Sequence, residues 1–408
     1  MGLHRGWAIA FACLASYAVI GGGVLFSFGQ FVEPLEDQFG WSRTQINLSL
    51  SLIGLGSLAA PFIGRLIDKY GSRSVMTISL LAFGVSHIVR PLMTNVWHWY
   101  GLSLIQSAAT VGGAMLPPGK LIGLWFPTNR GKALAVTVMG NNFGGITVQP
   151  LIAFIILKFS WGTAYFTMGV LALFIAAYSM AIISNPRENK PLGNGDSNNG
   201  DLESNDSSST IDEIGITLKE ALRTRSFYGI LVGVCCGTFT YSALLPYVSS
   251  DLLDAGTDAE MVSIAVGLFA AGGIPGKFLF GLLSDKIGAK YPLLIDLLCQ
   301  ALFAFLLVFT DGGIKIWFVV PMMGFFLSAF GTLYQLIVLE SFGTRHFGAI
   351  FGVISMSSAF SFIVGPILAG KGFDLTGGYE VAFATTAAIF LVGAGAVTQV
   401  KKPDEIFR

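Results

Sequence analysis

The chain has 408 residues, 53% hydrophobic and only 12% charged, and its 24 Lys and Arg balance 24 Asp and Glu. A soluble globule of this size needs more charge than that to cover its surface, so most of the chain is expected to be solvated by lipid. The zero net charge gives no basic surface for nucleic acid, and Cys13, Cys235, Cys236 and Cys299 all fall inside apolar runs with no disulfide or zinc spacing.

A membrane helix needs about 20 mainly apolar residues. Six such runs come first, at about 7–31, 45–66, 74–94, 98–124, 133–156 and 164–183. The first is too long for a signal-peptide core and is followed by Glu33, Glu36 and Asp37, so it is expected to remain as a span. Between Asn185 and Thr217 the composition switches to Asn, Ser, Asp, Gly and Glu, which cannot bury itself. Thr217-Leu218-Lys219-Glu220 then reads as a capping box and predicts a short amphipathic helix over 217–226. Six further runs follow, at about 227–249, 260–283, 291–310, 316–339, 347–369 and 380–398. The expected fold is an all-α membrane protein of twelve transmembrane helices. It divides into a six-helix bundle over 1–184, a cytoplasmic linker over 185–226 and a second bundle over 227–408. The 51 glycines, with Gly21-Gly22-Gly23, Gly112-Gly113 and Gly272-Gly273 among them, suit helices that approach closely in lipid.

The two halves repeat. Gly64-Arg65-Leu66-Ile67-Asp68-Lys69-Tyr70-Gly71-Ser72-Arg73 returns as Gly281-Leu282-Leu283-Ser284-Asp285-Lys286-Ile287-Gly288-Ala289-Lys290, 217 positions later. A second echo joins Trp125-Phe126-Pro127-Thr128-Asn129-Arg130-Gly131-Lys132 to Ser341-Phe342-Gly343-Thr344-Arg345-His346-Phe347-Gly348, at an offset of 215 between the arginines. If both chain ends and the linker share one side, that side holds 17 of the 24 Lys and Arg, against four in the opposite loops, Arg43, Lys158, Lys315 and Lys371. Cytoplasmic loops carry the positive excess, so both termini and both repeated turns are expected in the cytoplasm. The short N-terminus and compact loops point to a plasma membrane of prokaryotic type.

The paired Gly-x-x-x-Asp-Lys-x-Gly turns resemble the loop signature of the major facilitator superfamily. Arg5-Gly6-Trp7, Trp125-Phe126-Pro127 with Arg130-Gly131, and the run Gly272 to Gly281 are similar to its monocarboxylate porter and oxalate/formate antiporter group. The resemblance implies a rocker-switch carrier with a substrate cavity between two bundles near the bilayer midplane. In that group the position of Lys277 is usually an arginine that binds the substrate carboxylate. The chain departs from animal members in having no cation in helix one and Gly273 four residues before Lys277.

Lys277 is the sharpest candidate, on the order of 12 Å along the helix from Asp285. An intramembrane charge costs roughly 2.5–3.5 kcal/mol, which an anion or a structural partner would offset. Lys120, after Pro117-Pro118-Gly119, is read either as a second anion contact or as a snorkelling lysine. Tyr17, Gln30, Asn141, Tyr247 and Tyr334 are the polar side chains expected around the substrate, with Ser27, Asn142, Tyr241, Gln335, Ser358 and Ser361 beside them. Asp68, Arg73, Arg130 and Asp285 are expected to gate, Asp68 pairing with Lys69 or Arg73 or meeting the N-terminus of a neighbouring helix. Arg90 is expected to reach lipid headgroups and His87 to be structural. Asp296 is read as part of the charged cluster near the Lys290 turn, with a proton-carrying role as the other reading.

These features predict secondary transport of a small monocarboxylate, lactate-like or pyruvate-like, coupled to a proton, by a monomer with no cofactor or metal. Exchange of a dicarboxylate for a monocarboxylate is the alternative, and it would use both Lys120 and Lys277. A sensor would add a folded soluble domain. A membrane enzyme would show a His/Glu metal set, a GxSxG turn or a phosphate loop, and none is present in the sequence.

Overall fold

The computed structural model describes residues 2–126, 128–183, 215–309 and 312–401. Residues 185–214 of the expected linker lie outside the described residues, as do Arg187, Lys190, Lys402 and Arg408 from the charge sorting. Twelve helical segments cross the molecule: α1 (Arg5–Val24), α2 (43–70), α3 (Ser72–Leu92), α4 (96–125), α5 (Arg130–Lys158), α6 (Trp161–Ile182), α7 (Arg225–Val248), α8 (Ile264–Ile287), α9 (Lys290–Phe309), α10 (Gly312–Phe342), α11 (Phe347–Thr376) and α12 (Glu380–Thr398). Ten of them are long and apolar enough to span a membrane by composition. The others, α2 and α4, carry Arg65, Asp68 and Lys69, and Gln106 and Lys120; of these, Asp68, Gln106 and Lys120 have partners described below. Large side chains such as Leu157 (83% exposed), Phe174 (76%) and Phe62 (66%) face outward, as a lipid-solvated surface requires.

Side-chain caps start the helices where the sequence supplies them. Ser42 and Gln45 form a reciprocal box before α2, while Asn95, Ser160 and Thr224 accept the first free amides of α4, α6 and α7. The Thr217–Glu220 box also forms, and the Thr217 amide, then its hydroxyl, hold the Glu220 carboxyl below its ordinary range. The helix it starts is shorter than the expected 217–226, running only from Leu218 to Ala221. Thr224 ends it, because its hydroxyl bonds Ala221 O at 2.7 Å and then caps α7.

Packing follows the repeat. In the first bundle α2 lies on α4 and α3 on α6; in the second α8 lies on α10 and α9 on α12. Each repeated turn closes on a glycine with positive φ, Gly71 at 85° and Gly288 at 81°, a conformation that other residues adopt only under strain. The cation two positions on does equivalent work in both halves. Arg73 Nε donates to Met180 O at the end of α6 (3.1 Å), and Lys290 Nζ donates to Thr398 O (2.8 Å) and Val400 O (2.5 Å) at the end of α12. Both satisfy carbonyls at a helix C-terminus, where positive charge is favoured. Helices α1 and α7 each widen into an i→i+5 turn, Gly22–Phe26 and Thr240–Leu244, at nearly equivalent positions.

The bundles meet along two seams, α2 with α11 and α5 with α8. At the repeat-turn end both seams are backbone on backbone. A Cβ on Gly64 would fall 1.8 Å from Gly348 O, and one on Gly131 would fall 2.0 Å from Gly281 O. Replacing Gly64 with leucine is expected to overpack this seam by about 1–3 kcal/mol and shift the molecule towards a state open at that end. Spin labels at the exposed positions Tyr70 and Ile287 read this as a longer mean separation, and an unchanged distance distribution would contradict it.

Candidate functional site

The two duplicated motifs pair crosswise between the halves. Asp68, in the first copy of the turn, accepts the amides of Gly348 (3.1 Å) and Ala349 (2.8 Å), at the N-terminus of α11. Asp285, in the second copy, accepts the amides of Gly131 (2.6 Å) and Lys132 (2.9 Å), at the N-terminus of α5. A helix N-terminus presents unsatisfied N–H groups and the positive end of its dipole, so each carboxylate caps a helix belonging to the other bundle. Of the partners expected for Asp68, the helix terminus is realised, while Arg73 is engaged at the end of α6. Arg130 donates to Phe126 O (3.1 Å) and lies within electrostatic reach of Glu340 on α10. Glu340 accepts the Ala289 amide at 2.7 Å and so caps α9.

Lys120 neither snorkels nor stands beside Lys277. It is buried, and its Nζ lies 2.8 Å from Asp68 Oδ1 in an ion pair whose side chains are 5% and 11% exposed. The α2 charge and the α4 charge thus neutralise each other within one bundle, and a lysine placed for that task is not presented to a ligand.

Lys277 is 4% exposed and sits in the α5–α8 seam. Helix α5 breaks at Met139, where the Asn142 amide bonds Met139 O, three residues back, and not Val138 O four back. Lys277 Nζ donates to the freed Val138 carbonyl at 3.2 Å and to Asn142 Oδ1. Its partners are neutral, and among the described residues no carboxylate pairs with it. The neighbouring Asn141, the expected site residue, faces α1 instead, where a Cβ on Gly21 would run into its Oδ1. Helices α1 and α5 approach there through Gly21, Gly22, Gly140 and Gly144, and that close approach turns Asn141 to α1 and Asn142 to the seam.

Tyr17 and Tyr334 do come to the centre. Gln335 Nε2 on α10 donates to Tyr17 Oη on α1 at 3.0 Å, a direct link between the bundles. Tyr334, the next residue, stacks between Phe330 and Phe351 at centroid distances of 5.5 and 5.2 Å. Tyr247 lies apart, against Tyr379 at the head of α12 (5.2 Å) and hence at the end opposite the repeated turns. Gln30, beyond the wide turn of α1, leaves its Oε1 without a partner.

Two further expectations change. Arg90 is 2% exposed and does not reach headgroups: it bonds Gln106 and Ser103 and lies over the rings of Trp99 (4.4 Å) and Tyr165 (4.8 Å). Asp296 is fully buried and joins no charged cluster. The sequence reading also missed the Lys315–Asp251 ion pair (2.9 Å), which links α10 to the chain beyond α7 at the end opposite the repeated turns. Its residues are 64 positions apart with no periodic signal to join them.

The chain is similar to known proteins in sequence and in fold. The family model of the Major Facilitator Superfamily matches residues 9–366 and 230–405. An uncharacterised MFS-type transporter, YcxA of Bacillus subtilis (strain 168), is 25% identical over 92% of this chain and 90% of its own length. The probable sulfoacetate transporter SauU of Cupriavidus necator is 22% identical, covering 91% of this chain and 90% of its own. Monocarboxylate transporter 12 of Rattus norvegicus is 22% identical, covering 93% and 82%. Among solved structures, the proton:xylose symporter XylE superposes with a TM-score of 0.73 at 13% identity, covering 98% of this chain and 97% of its own.

Neutralising either crosswise cap is expected to weaken the closed seam. Each cap is worth about 0.3–1 kcal/mol, up to about 2 where partly buried, and Asp68→Asn should cost more than Asp285→Asn because it also strands Lys120. Thermal melting of the purified variants in one detergent measures the difference. Equal losses, or no recovery of Asp68→Asn when Lys120→Met is added, would show that the ion pair contributes nothing.

Proposed function

The chain belongs to the major facilitator superfamily and is a multi-pass membrane transporter, and on that footing we propose that it moves small monocarboxylates of the lactate or pyruvate kind together with a proton. The observation that carries this reading is Lys277, a buried cation on the seam between the bundles with no carboxylate partner. An ammonium has three N–H donors; two are met by Val138 O and Asn142 Oδ1. A carboxylate entering the seam supplies the missing negative charge, displaces a neutral amide and receives a charge-assisted hydrogen bond.

Lys277 is also where the repeat departs from itself. The position 217 residues earlier is Ala60, whose carbonyl packs so closely on Gly352 that a Cβ there would lie 2.4 Å away. One seam is therefore sealed by small residues, and the other holds a charge at the matching place. The names of the relatives support an anionic substrate, sulfoacetate for one and monocarboxylates for another. Exchange of two anions would use a second cation, and Lys120 is taken by Asp68, so the reading with one cation is the one supported.

In this reading the protein works by alternating access as a monomer. The first bundle comprises residues 1–184, the linker 185–226 and the second bundle 227–408, and the excess of Lys and Arg assigns the repeated turns and both termini to the cytoplasm. Asp68 and Asp285 hold the cytoplasmic end shut, and the crosswise caps break when the bundles rock. Tyr17, Tyr334 and Gln335 complete the polar surface around the substrate, against walls of Phe330, Phe347 and Phe351. Each wall ring is buried at 1% exposure or less.

Uptake of labelled L-lactate and pyruvate into proteoliposomes tests the proposal. Lys277→Ala is expected to lower uptake at least about tenfold, a loss of about 1.4 kcal/mol, and Lys277→Arg to retain most of it. Asn142→Asp, which places a carboxylate beside Lys277, is expected to raise KM at comparable kcat. Wild-type protein without carboxylate-dependent flux, or Lys277→Ala transporting at the wild-type rate, would refute the site. Counterflow undiminished without any pH gradient, with no uptake driven by one, would favour exchange.

A further inference from the structure

Among the ionisable side chains buried away from the Lys277 seam, Lys315 on α10, Arg90 on α3 and Asp296 on α9 are treated differently by the structure. Lys315 has a carboxylate partner in Asp251. Arg90, which keeps its proton under all ordinary conditions, is given two aromatic faces, an amide and a hydroxyl. Among the described residues, Asp296 on α9 has neither counter-charge nor a full set of donors. Its exposure is 0%, its Oδ2 accepts one bond, from Gln300 Nε2 at 2.6 Å, and its Oδ1 has no partner. A carboxyl is the one of these groups that can shed its charge by taking up a proton.

Its surroundings connect it to α7. Gln300 Oε1 accepts from Thr240 Oγ1 at 2.5 Å, and Thr240 opens the wide turn of α7. The next residue, Tyr241, is within electrostatic reach of Asp296, and also of Tyr17 and Tyr334 at the centre. Two hydrogen bonds thus join the buried acid to the wide turn of α7, through Gln300 to Thr240. Two other titratable groups lie within electrostatic reach of Asp296, Cys299 on α9 and Tyr241 on α7. Helix α9 itself also carries Lys290 and Tyr291 in its first turn. Helix α12 has only Glu380, in its first residue at the far end; α10 has Lys315, Tyr334 and Glu340; α8 has Lys277, Asp285 and Lys286. Among the described residues none of these bonds to Asp296.

We propose that Asp296 carries the coupling proton and that Gln300 and Thr240 transmit its protonation state to the wide turn of α7. This rests on the reading of the protein as a proton-coupled carrier. In the conformation described here the acid is one interaction short in either form, as an unpaired charge when ionised and as an unpaired O–H at Oδ1 when protonated. A conformation that gives Oδ1 a partner is favoured unequally by the two forms, and such a difference lets a proton bias a two-state equilibrium. The O–H bond forms when a proton arrives from one side of the membrane and breaks when it leaves to the other; no other reactant is involved.

The test uses full-length protein in liposomes with labelled L-lactate. Wild type should accumulate lactate under an inward proton gradient. Asp296→Asn should lose at least about tenfold of that gradient-driven uptake while keeping lactate–lactate counterflow within about twofold of wild type. Gradient-driven accumulation retained by Asp296→Asn would overturn the proposal. No gradient-driven uptake in wild type would overturn the proton-coupled reading itself and the role of Asp296 with it, a result distinguished because it precedes any substitution. If Asp296→Asn does not fold, Gln300→Leu provides the second arm: a shifted pH midpoint of uptake supports the relay, and the wild-type midpoint overturns it.

Discussion

Everything in this fold depends on two carboxylates that cap helices outside their own bundle. Asp68 reaches the first amides of α11 and Asp285 those of α5, so the contact that orders each helix start also joins the halves. In lipid there is no hydrophobic force to press two apolar surfaces together. Backbone amides meeting carboxylates, and glycines that let carbonyls approach, supply the attraction in its place. Both are strong enough to hold and local enough to release as units.

The same constraint explains the distribution of polar residues through the apolar interior. Several charges are neutralised: Lys120 by Asp68, Lys315 by Asp251, Arg73 and Lys290 by the carbonyl ends of α6 and α12. Against that background the two that are not neutralised by a charge or by a helix end, Lys277 and Asp296, stand out, since Arg90 has its rings. They sit on adjacent helices of the second bundle. One carries a positive charge at the seam, and the other is an acid joined to α7 through Gln300 and Thr240.

Both of these residues belong to the second bundle, and the first bundle packs against one of them, Lys277. Helix α5 contributes the broken turn that offers Val138 O and Asn142 to Lys277, and α1 contributes Tyr17 to Gln335. Ala60 on the α2–α11 seam shows what the matching position looks like when it only packs.

The span pattern, the 217-residue repeat, the Thr217 box and the candidacy of Lys277 were legible in the sequence, because hydropathy, duplicated turns and a lone cation in an apolar run are properties of the chain itself. Even the crosswise caps had a trace there, since the two echoes are each other's partners, although nothing in the chain says that partners exchange between halves. Only the tertiary structure decided between Asn141 and Asn142, gave Lys120 to Asp68, enclosed Arg90 in aromatic rings and left Asp296 alone. Those outcomes turn on which face of a helix a side chain leaves from and what the opposing helix offers. For Asn141 and Asn142, the break of α5 at Met139 and the close approach of α1 and α5 through glycine set that geometry across contacts more than a hundred residues apart, beyond the reach of any local pattern.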